Sequence, residues 1–523
     1  MRTRTKAGLA LASGMLLWLS FPNPWAMHFE AWPGYLAYIA LVPLVAALET
    51  AETKEGFGLG FVAGSAFFLP GLLWLTNVKP LGLGAFPAWC GLAAWCALFV
   101  GAFGAGAAYG LRRRWPLPVL WLPALWTVLE CLRAWLFTGF PWLGLGTTQA
   151  FHPRVAALAA FAGLPGLDYA VVLANGVAFA LLVRPSWLLP WRRGLAVLAV
   201  IGLLAWGAGE QIHAQKLWSA GEPVGGLSPR FLNLKVGVAQ GGIDEDQAWT
   251  QEYRDHLLRM YFTLTTSAVA QGARLVIWPE SSFPGFFNEN APEALLVKEY
   301  ARREKVYLLL GSTLSEGGAY TNSAVLVDPD GNTRSYAKRH LVPFGEYVPF
   351  RHWVGVLDLA LQKMGVEDFR AGDSPADFGV ADTTVAPLIC YESVFPELAR
   401  GPQPADVLAI LTVDTWYGVS PGPVWHAAQA SLRAIENGCW VARSAATGIS
   451  LFAAPDGSVP MLIDLNEAGV LVHYVEQARP TPWKTYGNWF LWVCCGLLGI
   501  LAVYDKMQSK TFFAFFGRHF SGE

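Results

Sequence analysis

The chain has 523 residues, of which 54% are hydrophobic and only 15% are charged. Soluble globular proteins contain about 25% charged residues, so this composition excludes an ordinary soluble protein. The formal net charge is −2 and no lysine or arginine run forms a basic stripe, which argues against a nucleic-acid partner. Residues 1–210 contain 20 charged side chains, whereas residues 211–485 contain 51. The sequence therefore predicts a membrane protein that carries one sizeable water-soluble domain.

Eight apolar segments are candidate membrane spans, for which about 20 predominantly apolar residues are typical. Seven precede the soluble region and one follows it: 7–22, 33–48, 57–76, 87–111, 116–137, 163–183, 194–210 and 487–504. The first follows three basic residues, as a signal peptide would, but it lacks a small-x-small cleavage site, so we expect a retained helix. We expect a seven-span helical bundle (1–210), a soluble domain (211–485), and a C-terminal span with a cytoplasmic tail (486–523).

Basic residues indicate the orientation, because lysine and arginine concentrate on the cytoplasmic side of membrane spans. Clusters precede the first and seventh spans and follow the fourth and eighth: Arg2, Arg4 and Lys6; Arg192 and Arg193; Arg112, Arg113 and Arg114; Lys506 and Lys510. A cytoplasmic N terminus places all of these clusters on the inner side. Residues 211–485 then lie outside, which for a bacterial inner membrane is the periplasm.

Two charged residues lie inside the fifth predicted span. Glu130 and Arg133 are three residues apart and therefore share one face of a helix. Charges in hydrocarbon normally pair with each other or face a polar cavity. We expect a structural ion pair, and the alternative is a lining for a lipid headgroup.

Residues 211–485 alternate short β-rich runs with helical patterns. The predicted strands are buried apolar runs at 234–240, 274–278, 306–311, 324–328, 385–390 and 407–413. The predicted helices cover 247–270, 291–304 and 423–437, and Gly438 is expected to cap the last helix. Strands covered by helices indicate a layered α/β or α+β domain.

Polar side chains follow three segments of this domain where strands are expected to end. Glu280 follows the run Leu-Val-Ile-Trp-Pro, Lys338 precedes an apolar loop that contains Glu346, and Cys390 precedes Glu392 by two residues. Each residue alone is more often structural, as a packed core thiol or a solvated charge. Together they supply a nucleophile, a base and a cation, and thiol chemistry needs an adjacent base or positive charge.

The segments WPES, YxKxxLVPFGEYVP and ICYE, in this order, resemble the Glu–Lys–Cys triad of the nitrilase (carbon–nitrogen hydrolase) superfamily. Joined to these spans, the segments are similar to the apolipoprotein N-acyltransferase family, and the match covers essentially the whole chain. The resemblance implies an αββα sandwich for the soluble domain. It also implies that Glu280 is the general base, that Lys338 helps to bind the oxyanion, and that Cys390 is the acylated nucleophile.

The same resemblance implies five supporting residues: Glu346, Tyr391, Glu392, Trp249 and Trp416. Three further positions depart from the family pattern, because Gly242, Val413 and Ala446 stand where asparagine is usual. The triad chemistry does not need these amides, so any effect of the departures falls on acceptor binding or loop ordering.

The activity implied by the resemblance is acyl transfer through a thioester on Cys390. The donor would be a phospholipid, and the acceptor would be the α-amino group of diacylglyceryl-cysteine at the N terminus of an apolipoprotein. No cofactor or metal is expected, and no CxxC or HExxH spacing occurs in the sequence. We expect a monomeric, multi-pass protein of the bacterial inner membrane with a periplasmic catalytic domain.

Other interpretations remain open at this point. The same triad would serve a membrane-tethered amidase or nitrilase that hydrolyses a small C–N substrate, although one span would be enough to anchor such an enzyme. A transporter or scaffold with a degenerate soluble domain is a non-enzymatic alternative, and the complete triad argues against it. His340 or His426 could form a Cys–His dyad with Cys390, but a lone histidine is more often packed or solvated. Cys439 lacks flanking acids and bases, so we expect a core residue.

Overall fold

The computed structural model describes residues 2–25, 34–78, 84–187, 231–243, 250–288, 291–316, 318–349, 351 and 368–508. The chain forms two compact units. The helical unit comprises residues 1–76, 83–210 and 486–523, and the sandwich unit comprises 77–82 and 211–485. The predicted seventh span and Trp249 lie outside the described residues.

The described N-terminal part of the helical unit consists mainly of α-helices. The helices are α1 (Thr3–Leu19), α2 (Val42–Leu48), α3 (Thr53–Gly71), α4 (Ala85–Arg112), α5 (Pro118–Trp135), α6 (Pro153–Ala156) and α7 (Ala159–Leu182). An ion pair links the first turns of α1 and α3, with 3.0 Å between Lys6 Nζ and Glu55 Oε2. These helices coincide with the first six predicted spans.

Three described helices are long and apolar enough to cross a membrane: Ala85–Arg112, Ala159–Leu182 and Trp489–Gln508. The other described helices in the predicted spans are shorter or less apolar. The structure therefore supports apolar membrane helices, while the number of about eight spans stays a prediction.

Glu130 and Arg133 form the ion pair expected within α5. Arg133 Nη2 donates to Glu130 Oε2 at 2.5 Å. Its Nη1 donates to the backbone oxygens of Phe140 and Trp142, at 2.5 and 2.8 Å. The prediction of a structural ion pair is confirmed, and the pair also holds the chain that follows α5.

The sandwich unit contains two six-stranded sheets. Their strand orders are β12-β1-β2-β3-β4-β5 and β11-β10-β9-β8-β7-β6. The strands are β1 (Phe231–Gln240), β2 (Leu275–Ile277), β3 (Tyr307–Glu316), β4 (Ala319–Val327), β5 (Thr333–Ala337), β6 (Phe378–Val380), β7 (Thr383–Ile389), β8 (Val407–Thr412), β9 (Trp440–Ala445), β10 (Ser450–Ala453), β11 (Met461–Ile463) and β12 (Gly469–Glu476). The central strands β1–β3 and β7–β9 run parallel, so their carboxyl ends share one edge in each sheet.

The two sheets pack face to face around one apolar core. Val238 of β1, Leu309 of β3, Ile389 of β7 and Leu411 of β8 are among its buried residues. A second apolar cluster joins the outer face of the first sheet to α8 (Gln251–Ala270) and α9 (Pro292–Glu304). The helix α10 (Pro396–Arg400) is short, and α11 (Gly422–Asn437) packs against β9 and β10. The expected nitrilase-like αββα layering is confirmed. Two helices, α12 (Pro482–Tyr486) and α13 (Trp489–Gln508), follow the sandwich at the end of the described chain.

Most elements predicted for the sandwich are confirmed, including the cap of α11 at Gly438, whose φ is +63°. The helix α8 begins one residue after Thr250, whose hydroxyl accepts a hydrogen bond from the Tyr253 amide at 3.2 Å. The sequence prediction missed β5, β6 and β9–β12. Four of these are the edges of the two sheets, where strands are short or carry polar side chains and give weak periodicity.

Candidate active site

Three strands end beside one another at the residues singled out from the sequence. Glu280 follows β2 after Pro279, which has no N–H to continue the ladder, while Lys338 directly follows β5 and Cys390 directly follows β7. Gly311 of β3 makes room for the first of these turns, because a Cβ atom there would overlap the Glu280 backbone. The fold thus brings together a carboxylate, an ammonium group and a thiol whose residues span 110 positions of the sequence, from Glu280 to Cys390.

A buried ammonium group lies between two carboxylates. Lys338 Nζ is 3.5 Å from Glu280 Oε1 and 2.9 Å from Glu346 Oε1. Burial alone would lower the pKa of Lys338, but the negative charges of Glu280 and Glu346 outweigh it and the pKa is raised. Lys338 is therefore a cation at the site, and the structure places it beside Glu280 and Glu346, both of which were singled out from the sequence.

The sequence prediction missed Asn322, which connects the two acids. Asn322 Nδ2 donates to Glu280 Oε1 and to Glu346 Oε1, both at 2.7 Å. The second oxygen of Glu280 accepts a 3.0 Å hydrogen bond from the Val413 amide. An asparagine within the apolar strand β4 was the signal available in the sequence, since a buried amide must find hydrogen-bonding partners.

The environment of Glu280 favours its role as a proton acceptor. Burial raises the pKa of this carboxyl and the charge of Glu346 adds to the effect, while Lys338 and the hydrogen bond from Asn322 oppose it. Glu280 lies close enough to the Cys390 thiol for the two groups to interact electrostatically. A carboxylate with a raised pKa is a stronger base, and Glu280 is the carboxylate placed to receive the thiol proton.

Cys390 lies at a sharp turn after β7, with φ of +51°. Burial raises the pKa of its thiol, as does the charge of Glu280, whereas Lys338 acts in the opposite direction. The thiol is therefore protonated at rest and depends on a base for activation. Cys439, in contrast, is 1% exposed in the core, and burial raises its pKa to about 12, which confirms its prediction as a core residue.

Glu392 joins the turn at Cys390 to the segment that begins after β5. Its Oε1 accepts hydrogen bonds from the Tyr336 hydroxyl at 2.7 Å and the Arg339 amide at 2.8 Å. Its Oε2 accepts one from the Ile389 amide at 2.8 Å. Burial raises the pKa of Glu392, although these hydrogen bonds to the ionised form oppose the shift. Glu392 thus ties the residue that precedes Cys390 to the segment around Lys338.

The other predicted supporting residues lie in different surroundings. Tyr391 packs edge-on against Phe395, with ring centroids 5.0 Å apart. Trp416 lies on the turn Thr415–Tyr417, and its side chain is 41% exposed. Within the described residues, no hydrogen bond joins Trp416 to the triad. The predicted role of Trp249 concerns a residue outside the described part of the chain.

Backbone groups are used at the three positions where asparagine is usual in the family. The Val413 amide donates to Glu280, and the Gly242 amide donates to the Ala446 carbonyl oxygen at 2.9 Å. Gly242 has φ of +65°, a conformation that both glycine and asparagine tolerate. The loops at these positions are therefore held by main-chain hydrogen bonds that do not require the missing amides.

The two histidines considered as partners of the thiol face other groups. His340 packs against the Phe395 ring, with 4.0 Å between centroids. His426 Nε2 lies 3.3 Å from the backbone oxygen of Cys390, while Glu280 interacts electrostatically with the thiol. The geometry therefore favours Glu280 over a histidine as the base.

The raised pKa of Glu280 predicts how the reactivity of Cys390 depends on pH. Alkylation by iodoacetamide should slow as the pH falls through the Glu280 pKa, at a midpoint above the ordinary value of 4.5. Asn322→Ala removes a hydrogen bond that lowers this pKa, so the midpoint should rise by about one pH unit. Peptide mapping of the alkylated protein measures the rate, and Thr321→Ala on the same strand is the control. A midpoint that falls or does not move in Asn322→Ala would contradict this account of the base.

Comparisons with known proteins cover both units. A family model described as carbon-nitrogen hydrolase matches residues 235–485, and one described as apolipoprotein N-acyltransferase N-terminal domain matches residues 13–177. Among solved structures, an amidase from Nesterenkonia sp. is 21% identical and aligns over 50% of this chain and 96% of its own, with a TM-score of 0.35.

Curated relatives named apolipoprotein N-acyltransferase match nearly the whole chain. The protein from Geobacter metallireducens is 32% identical, and the match covers 94% of each chain. The protein from Azotobacter vinelandii is also 32% identical, over 96% of this chain and 95% of its own. The protein from Pseudomonas syringae pv. tomato is 31% identical, over 96% and 97% respectively. Since these identities extend through both units, the chain belongs to the apolipoprotein N-acyltransferase family.

Proposed function

We propose that this protein transfers an acyl chain from a phospholipid to the α-amino group of diacylglyceryl-cysteine at the N terminus of apolipoproteins. The observation that carries the proposal is the buried cluster of Lys338 and Glu280, 3.5 Å apart, both of which interact electrostatically with the Cys390 thiol. The name shared by the relatives supports the choice of acceptor.

In the first half-reaction, Cys390 Sγ attacks the carbonyl carbon of the phospholipid ester and its proton passes to Glu280. Lys338 stabilises the negative charge that develops on the carbonyl oxygen, and its raised pKa keeps it charged throughout. The C–O bond then breaks, and the departing lysophospholipid oxygen takes the proton from Glu280. The products are a thioester on Cys390 and a lysophospholipid.

In the second half-reaction, the neutral α-amino group of the acceptor attacks the thioester carbon. Glu280 accepts the proton that the nitrogen loses, the C–S bond breaks, and the Cys390 sulfur regains a proton. A thioester is far more reactive towards an amine than the original ester, so the two steps replace one difficult transfer. We assign supporting roles to Glu346 and Glu392, which position the triad, and to Tyr391, Trp249 and Trp416, which match residues of the family's motifs.

The membrane segments fit the substrates of the proposed reaction. Both substrates are anchored in a bilayer, so an enzyme in the same bilayer meets them often and has chiefly their orientation to arrange. We assign 1–210 to a transmembrane bundle, 211–485 to the catalytic domain, and 486–523 to a C-terminal span with its tail. We place the protein in a bacterial inner membrane, as a monomer, with the catalytic domain in the periplasm.

N-acylation of a defined acceptor tests the function directly. Purified protein in phospholipid vesicles should add one acyl chain to a synthetic diacylglyceryl-cysteine peptide, as measured by mass spectrometry. Glu280→Gln and Lys338→Ala should lower the rate at least about 100-fold, the lower range for loss of a base or of oxyanion stabilisation. Cys390→Ala should be inactive, and Cys439→Ala should be unaffected. Retained N-acylation in Cys390→Ala would refute the function, and release of free fatty acid alone would favour a hydrolase.

Reporter fusions test the proposed orientation. A periplasm-specific reporter fused after Glu210 should be active, and the same reporter fused after Lys510 should be inactive, because the basic clusters favour a cytoplasmic C terminus. Activity of both reporters, or of neither, would contradict the eight-span arrangement.

A further inference from the structure

The backbone of the nucleophile is held in a conformation that other residues must stabilise. Cys390 has φ of +51°, in the left-handed region that residues other than glycine seldom occupy. Such conformations cost free energy and persist only where surrounding contacts determine them. The carbonyl oxygen of Cys390 accepts a hydrogen bond from Ser393 Oγ at 2.8 Å and lies 3.3 Å from His426 Nε2.

His426 is itself fixed by two buried ionic side chains. Its Nδ1 lies 2.9 Å from Asp414 Oδ1 and 3.0 Å from Arg443 Nη2. Arg443 Nη2 also donates to Asp414 Oδ2 at 2.8 Å. All three residues are at most 3% exposed, and they belong to α11, the loop after β8, and β9. A continuous buried chain therefore runs from Arg443 to the backbone of the nucleophile.

The charges in this chain keep the imidazole ring in one orientation. Burial alone would raise the pKa of Asp414, but Arg443 and His426 outweigh it and the pKa is lowered, so Asp414 stays ionised. With its proton on Nδ1, the ring donates to Asp414, and Nε2 can accept only from Ser393 Oγ, 3.0 Å away, which then no longer donates to the Cys390 oxygen. With its proton on Nε2, the ring donates towards the Cys390 oxygen and Nδ1 accepts from Arg443. Only the tautomer with its proton on Nε2 links the ring to the Cys390 oxygen, and Arg443 supports this tautomer by donating to Nδ1.

The residue next to Asp414 contacts the base as well as the nucleophile. The Val413 amide donates to Glu280 Oε2 at 3.0 Å, and its carbonyl oxygen lies 4.0 Å from Cys390 Sγ. A shift of the segment Val413–Asp414 would therefore move both reacting groups. The buried chain from Arg443 restrains this segment and the backbone of Cys390 together.

We propose that His426, held by Asp414 and Arg443, is a positioning residue that fixes the turn at Cys390 so that its thiol meets Glu280. His426 exchanges no proton with the substrate in this role. The inference rests on the proposed function only in taking Cys390 as the nucleophile. It can be tested by thiol alkylation, which needs neither lipid nor acceptor.

The test compares the rate of Cys390 alkylation in three single variants, two at His426 and one at its partner Asp414. His426→Ala should slow alkylation of Cys390 about 100-fold, the cost of misplacing a reacting group by about 1 Å. His426→Gln should restore most of the rate, because its amide can donate to the Cys390 oxygen but cannot act as a base. Asp414→Asn should resemble His426→Ala, and the double variant should be little slower than either single variant, since both act through one chain.

Controls separate positioning from a general loss of structure and from the function itself. His473→Ala removes a histidine ring from β12 of the same sandwich and should leave the alkylation rate unchanged. In the N-acylation assay, His426→Ala should lower kcat and leave the KM for phospholipid within about threefold, as expected for a group that acts only in the chemical step.

Three outcomes would overturn the inference: alkylation of His426→Ala at the wild-type rate, a glutamine variant as slow as the alanine variant, or additive effects in the double variant. If His426→Ala fails to fold, the alkylation rate of a folded His426→Gln variant, which keeps its thermal transition, is compared with that of the wild type. Failure of N-acylation in the wild type, with the alkylation pattern intact, would reject the proposed function and leave the positioning role standing.

Discussion

The site depends on a buried ammonium group, that of Lys338, held between two carboxylates. An unpaired charge is very costly to bury, whereas a charge with close partners and full hydrogen bonding can be retained. Glu280 and Glu346 supply the opposite charges, and Asn322 donates to both of them. Burial raises the pKa of Glu280 and the charge of Glu346 adds to the effect, so Glu280 is a stronger base than an ordinary carboxylate.

This arrangement explains why the site lies at strand ends. Strand ends place side chains at the carboxyl edge of a sheet, with backbone amides left over to bind carboxylates, as the Val413 and Ile389 amides do for Glu280 and Glu392. Two sheets that pack face to face bring two such edges together. The rigid sandwich fixes the positions of Lys338 and Glu280, while the turn at Cys390 needs the further restraint of buried polar contacts.

The sequence predicted the triad and the layered fold, because both depend on local patterns. Apolar strands followed by Glu280, Lys338 and Cys390 are visible as short segments, and central strands are visible as apolar runs. Asn322 was not singled out and His426 was considered only as a base for the thiol, since their contacts join residues 42 and 36 positions away. Edge strands were missed because they are short or polar. The number of membrane spans was predicted from the lengths of apolar segments, and only three of the described helices are long and apolar enough to support it.

The central claim is that Cys390 carries the acyl group between the two half-reactions. Intact-mass measurement of the purified protein, incubated with phospholipid and no acceptor, tests it most directly. The account predicts one added acyl chain, mapped to the peptide that contains Cys390, released by neutral hydroxylamine and lost on addition of a diacylglyceryl-cysteine peptide. An adduct that persists in Cys390→Ala, or acceptor acylation with no adduct on Cys390, would contradict it.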